Sequence, residues 1–286
     1  MRYLIVLILM PILQILTALI FRETVSISNS FWNTYILVFI QQIVSVYLPV
    51  LFLFRKETYC PKDELYWIKP SYLIRFMILG IILQFFGIAM NMPLSFWLNS
   101  LGFSARDNLP LPTAALQFLG HIGVVCLTPA IFEEVLFRRM IYRTIQRDSS
   151  SAAILFSAIF FSMAHCDFFN ISATFVIGLC LGLLRYQGAT LILCIITHFF
   201  INFTASMMNL GFQIPIVSDY FQRYYPLLFF LSAIFLCILL PKKNLQNVLS
   251  DDSAQGTVAD YLLKLVKNPL FYGYIIIFLV LGVRSL

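Results

Sequence analysis

The sequence predicts an all-α fold, a polytopic transmembrane helix bundle of eight spans. Three observations lead there. Of the 286 residues, 60% are hydrophobic and only 11% are charged, more apolar surface than a soluble chain of this length can hide. The apolar residues fall in runs long enough to cross a bilayer, where about 20 residues rising about 1.5 Å each match a hydrocarbon core about 30 Å thick. The basic residues gather between those runs, the pattern that orients membrane helices.

In chain order the spans are expected at 3–21, 31–54, 72–95, 113–143, 150–166, 170–186, 189–209 and 225–240. Arg2 precedes the first run, but no small-x-small cleavage site follows before Arg22, so this run reads as a retained helix. Arg75 sits near the end of the third span, where its stem can snorkel. Gln41, Gln42, Gln84 and Asn91 are polar at membrane depth and are expected to hydrogen-bond between helices. Residues 1–112 thus form a three-helix membrane scaffold, closed by a Pro- and Asn-bearing loop over 99–112.

Residues 113–240 form a second bundle. Pro129 is expected to kink its first helix, and Gly178 with Gly182 makes a small face that lets the sixth helix approach a neighbour closely. Residues 241–286 read as a cytoplasmic tail with a short apolar C-terminal segment; Leu270 to Val283 is about 14 residues, short of a comfortable crossing, so a ninth span and an interfacial helix both stay open.

A net charge of +6 raises the question of nucleic acid, and its placement argues against it. Arg55, Lys56, Lys62 and Lys69 follow the second span, Arg138, Arg139, Arg143 and Arg147 end the fourth, and Lys242 and Lys243 follow the eighth. The positive-inside bias makes all three groups cytoplasmic, with the N-terminus inside a multi-pass protein of the cell membrane whose partner is the lipid bilayer. Nothing in the sequence specifies an oligomeric state. The six cysteines lie mostly at membrane depth without paired spacing, so neither a disulfide framework nor a zinc ribbon is expected.

Ionisable residues within spans are costly and mark functional sites by default. Here they are His121, Glu133, Glu134, Arg138, His165 and His198, with Asn202 as a neutral companion. Adjacent Glu133 and Glu134 project about 100° apart on a helix and so are not expected to face one site together. Arg138, four residues after Glu134, is its expected partner, leaving Glu133 to face the interior. From a turn near 148–150, Glu133 lies about 15 residues back and His165 about 16 forward, so an antiparallel hairpin sets them level, about 22 to 24 Å from the turn. From a second turn at Gln187 and Gly188, His198 and Asn202 lie on one helix face and reach the same layer within about one turn. His121, about 18 Å from Glu133 along one helix, reads as a separate polar contact.

These residues resemble the CPBP group of intramembrane proteases, which includes the type II CAAX prenyl endopeptidases and bacterial proteins linked to bacteriocin processing and self-immunity. PAIFEEVLFRR is similar to the EExxxR motif through Glu133, Glu134 and Arg138, FFSMAH to FxxxH through Phe161 and His165, and THFFIN to HxxxN through His198 and Asn202. Arg139 departs from the Gly common after the motif Arg in bacterial members. The resemblance covers 113–209 and implies peptide-bond hydrolysis on a membrane-embedded or lipidated peptide. In that route Glu133 is general base on a water shared with His165, and His198 and Asn202 donate to the oxyanion, about 3 to 4 kcal/mol per donor. Glu134, Arg138 and Phe161 are supporting residues. No cofactor is expected on this route; the alternative is zinc on His165, His198 and Glu133. Two other classes share such residues: a non-catalytic immunity or peptide-binding scaffold using the same pocket, and a proton-coupled transporter.

Overall fold

The computed structural model describes residues 2–21, 31–54, 70–104, 109–211, 213, 215–239 and 256–283. The basic groups at 55–69 and 242–243, Cys60 and the stretch 241–255 lie outside the described residues. Every described element is helical. Helix α1 is Arg2–Ile20; α2 runs through Phe31–Gln42, a π-helical segment Ile43–Tyr47, and Leu48–Phe54; α3 is Pro70–Ser100; α4 is Ala115–Gln146. Then follow α5 Ser150–Ala164, α6 Ile171–Tyr186, α7 Leu191–Gly211, α8 Pro215–Leu239, α9 Val258–Val266 and α10 Pro269–Val283.

Helices α1, α2, α3, α4 and α7 are each long and apolar enough to cross a membrane. Helices α5 and α6 have only 15 and 16 residues. At about 1.5 Å per residue they reach about 22 to 24 Å, short of a hydrocarbon core of about 30 Å. The short segment at 270–283 is a helix that passes as a span only together with α9, from which it bends by 85°.

The core sits where α3, α5, α6 and α7 meet, with α1 and α4 around them. Small residues set its tightest contacts. A Cβ on Gly178 would stand 3.0 Å from Ala158 Cα, and one on Gly182 would stand 3.4 Å from Ile154 Cα, so α6 lies on α5 through the expected small face. Between α3 and α7 the approach is closer still: a Cβ on Gly80 would fall 2.4 Å from the Thr197 carbonyl oxygen, and the Thr197 hydroxyl donates to the Phe76 carbonyl at 3.3 Å. Gly80→Ala therefore has to push backbone from backbone. The expected cost is about 1 to 3 kcal/mol, read as a lower unfolding midpoint in detergent.

Of the polar groups expected at depth, Gln41, Gln42 and Asn91 join helices, and Gln84 lines a cavity. Gln41 donates to the Gln14 carbonyl at 3.2 Å and Gln42 to the Val124 carbonyl at 3.1 Å. Asn91 donates to the Phe169 carbonyl and accepts from the Ala173 N–H at 3.3 Å, tying α3 to the start of α6. Ser162, near His165 in sequence, spends its hydroxyl on the Ile171 carbonyl at 2.8 Å. Beyond residue 240 the sequence reading holds no element before 270, yet α9 forms there because Thr257 and Asp260 make a reciprocal capping box. Its Tyr261 hydroxyl meets that of Tyr3, Lys264 pairs with Asp148 at 2.9 Å, and Tyr274 of α10 donates to the Phe160 carbonyl at 3.3 Å. These contacts fasten the chain's end to α1 and α5, on the side of the bundle that carries the turn between α4 and α5.

Candidate active site

Helix α4 supplies both carboxylates, and it is not a regular α-helix. Two π-helical segments, Ile122–Leu127 and Val135–Ile141, flank the stretch Thr128–Glu134. The first has a local cause: Pro129 brings no N–H to the ladder, and the Thr128 hydroxyl donates at 2.7 Å to the Gly123 carbonyl five residues back. The expected disturbance at Pro129 thus takes the form of a widened turn just ahead of it. The second begins directly after Glu134, and such wide turns concentrate at functional sites.

Glu134 and Arg138 pair as the spacing requires, with Arg138 Nε 3.3 Å from Glu134 Oε2 and both side chains 0% exposed. Arg138 therefore does not belong with the interfacial basic group to which its position in the sequence assigns it. Its guanidinium carbon also lies 4.8 Å from the centre of the Phe161 ring, a cation–π contact. The other edge of Glu134 takes a hydrogen bond from His198 Nδ1 at 2.9 Å.

Glu133 turns to the interior, as expected, but the expectation that the two carboxylates cannot serve one site is corrected. Glu133 Oε2 lies 4.0 Å from His198 Nε2 while Glu134 holds Nδ1 of the same ring. The two side chains diverge, and the imidazole sits between them, offering opposite edges to each. Glu133 Oε2 is also 3.8 Å from His165 Nε2. The hairpin α4–α5, turning at Arg147–Asp148 with Ser149 capping α5 through the Ala152 N–H at 3.1 Å, sets Glu133 and His165 level. The hairpin α6–α7, turning at Gln187 and Gly188 with Gly188 at φ +93, brings His198.

His165 is the C-cap of α5. Its Nδ1 donates to the Phe161 carbonyl at 2.8 Å, since a carbonyl can only accept, so the proton is on Nδ1 and Nε2 faces Glu133. His198 gives its Nδ1 proton to Glu134 and likewise presents Nε2. Phe161 holds these pieces apart: its ring is 4.8 Å from that of His165, 5.7 Å from that of His198 and 5.2 Å from that of Phe137, centre to centre, all edge-on. The motif phenylalanine is a spacer between two imidazoles and a guanidinium, which its spacing in the sequence does not reveal.

Two cavities, of about 460 and 690 Å³, share His165, His198, Asn202, Ala205 and Asn209. The smaller adds Phe161, Gln84, Asp167 and Asn170; the larger adds Glu133, Pro129, Ser206 and His121. Asn202 lines both, one helical turn beyond His198. His121, which the sequence treats as a separate contact, thus opens onto the same cavity as Glu133. The signal for it was available: a third histidine at membrane depth, on the helix that carries the carboxylates.

The helical bundle brings adjacent carboxylates, a buried arginine and two imidazoles to one chamber. The family described as type II CAAX prenyl endopeptidase Rce1-like matches residues 115–204, 90 of the chain's 286 residues, and that stretch holds all three motifs. The match supports the assignment to the CPBP intramembrane proteases and, at the level of the family, a CAAX-type endopeptidase activity. No curated protein and no solved structure matches the chain.

Proposed function

We propose that the protein hydrolyses a peptide bond in a membrane-embedded or lipidated peptide, using a water activated by Glu133 beside His165 and His198. One observation carries this reading: the Nε2 atoms of both imidazoles face the same carboxylate oxygen, at 3.8 and 4.0 Å. Those separations are too long for direct hydrogen bonds and suit a shared small molecule between the groups. Glu133 takes a proton from the water as its oxygen attacks the scissile carbonyl carbon. The C=O electron pair moves onto oxygen, and His198 Nε2 and the Asn202 amide donate to it. As donor, His198 needs the doubly protonated ring, whose charge Glu134 offsets from Nδ1. Collapse breaks the C–N bond, Glu133 returns its proton to the leaving nitrogen, and a carboxylic acid and an amine are released, the acid then passing its proton to the amine or to water.

Two imidazoles and a carboxylate are also a chemically reasonable zinc set. We favour the metal-free route because an asparagine amide serves an oxyanion better than a metal. A chelator titration of the purified protein is expected to leave cleavage unchanged. Loss of activity restored by zinc would favour the metal route.

On the positive-inside pattern we infer a cytoplasmic N-terminus, on the same side as the turn between α4 and α5. The substrate class is tested by comparative proteomics of membranes from cells carrying the wild type or Glu133→Ala. New peptide termini confined to the wild type support proteolysis; none in either membrane, with transport activity instead, would favour a proton-coupled carrier.

A further inference from the structure

The larger cavity ends at a group that the hydrolytic scheme leaves unused. His121 is only 5% exposed, lines this cavity with Glu133, and its Nε2 is buried with no hydrogen-bond partner among the described residues. The state of its ring follows from its neighbours. The Tyr35 hydroxyl donates its one proton to the Pro110 carbonyl at 3.0 Å, so toward His121 Nδ1, 2.6 Å away, the phenol oxygen accepts. Nδ1 therefore carries the ring proton, and Nε2 is a bare lone pair held in place by α2 and by the loop before α4. A buried acceptor fixed this way and left unmatched favours whatever brings a donor to it.

The distance to the reacting groups is set by α4. Twelve residues separate His121 from Glu133, at most about 18 Å at the α-helical rise and less across the π-helical segment Ile122–Leu127, and an extended peptide covers that in about five residues. Leu109 and Leu111 line the same cavity beside apolar Val125, with Ser206 and Asn209 across from them on α7.

We infer that His121 is a substrate subsite: its Nε2 accepts a hydrogen bond from an N–H or O–H of the substrate chain about five residues from the scissile bond. The protein then prefers extended peptides long enough to reach it. This rests on the hydrolytic reading of the chamber.

The test uses the full-length protein in lipid nanodiscs and two membrane-tethered peptides sharing one cleavage site, one extending at least six residues on both sides of it and one cut to two. The readout is the ratio of kcat/KM for the long peptide to that for the short one. Wild type is expected to favour the long peptide by about tenfold, the worth of one good hydrogen bond, mostly through KM. His121→Ala is expected to bring the ratio close to one, and His121→Gln, which keeps an acceptor, to restore part of it. A purely structural role for His121 would lower both peptides alike and leave the ratio unchanged, which would overturn the inference; so would a wild-type ratio near one. If His121→Ala does not accumulate, His121→Phe gives the same reading. Glu133→Gln run beside them separates the two claims, because its activity on both peptides would sink the hydrolytic reading itself.

Discussion

His198→Ala is expected to abolish cleavage and also to weaken the fold, whereas His165→Ala abolishes cleavage alone. Each variant loses an imidazole that faces Glu133, and removing a group that assists proton transfer or donates to the oxyanion typically costs about 10² to 10⁴ in rate. Their structural roles differ. The His165 side chain is 33% exposed and, among the described residues, hydrogen-bonds to a carbonyl of its own helix. The His198 side chain is 4% exposed and occupies one edge of wholly buried Glu134. Its loss leaves a carboxylate oxygen unmatched, worth about 1.5 to 3 kcal/mol. Thermal unfolding in detergent beside a cleavage assay reads both quantities. Equal stability of the two variants would mean that the Glu134 to His198 bond does not hold α4 to α7.

Arg138→Leu has the largest expected effect on folding. The arginine is wholly buried between Glu134 and the Phe161 ring, and its removal leaves the buried Glu134 carboxylate without its guanidinium, keeping the His198 hydrogen bond, a loss of about 3 to 5 kcal/mol. The expected result is little folded protein in the membrane. Because the penalty comes from the unpaired charge and not from lost attraction, the double variant Glu134→Leu with Arg138→Leu should recover much of the fold. It should remain inactive, since His198 then has no carboxylate on Nδ1. Normal accumulation of Arg138→Leu alone would show that Glu134 finds another partner.

What was legible in the sequence follows from what repeats along a helix. Apolar runs report spans because lipid demands them, and counting residues from the expected turns near 148–150 and 187–188 sets Glu133 and His165 level with His198 within about one turn. The spacing of Glu134 and Arg138 likewise gives their pairing directly. The bond from Glu134 to His198 is not legible, because it depends on the rotation of α4 against α7 and on π-helical segments that no residue spacing announces. The same holds for Phe161, whose place between both imidazoles and Arg138 is set by three helices at once. Helix α9 carried a readable signal in Thr257 and Asp260, a capping box three residues apart, but its docking through Tyr261 on Tyr3 joins positions 258 apart in the chain and has no local trace.

The central claim is that one carboxylate, Glu133, activates the water that cuts the peptide. Glu133→Gln preserves the size of the side chain and its place against His165 and His198 while removing the base. Assayed side by side with the wild type on one membrane-tethered peptide in lipid nanodiscs, it is expected to lose cleavage by about 10² to 10⁴ with its unfolding midpoint unchanged. Cleavage by Glu133→Gln at the wild-type rate would contradict the account.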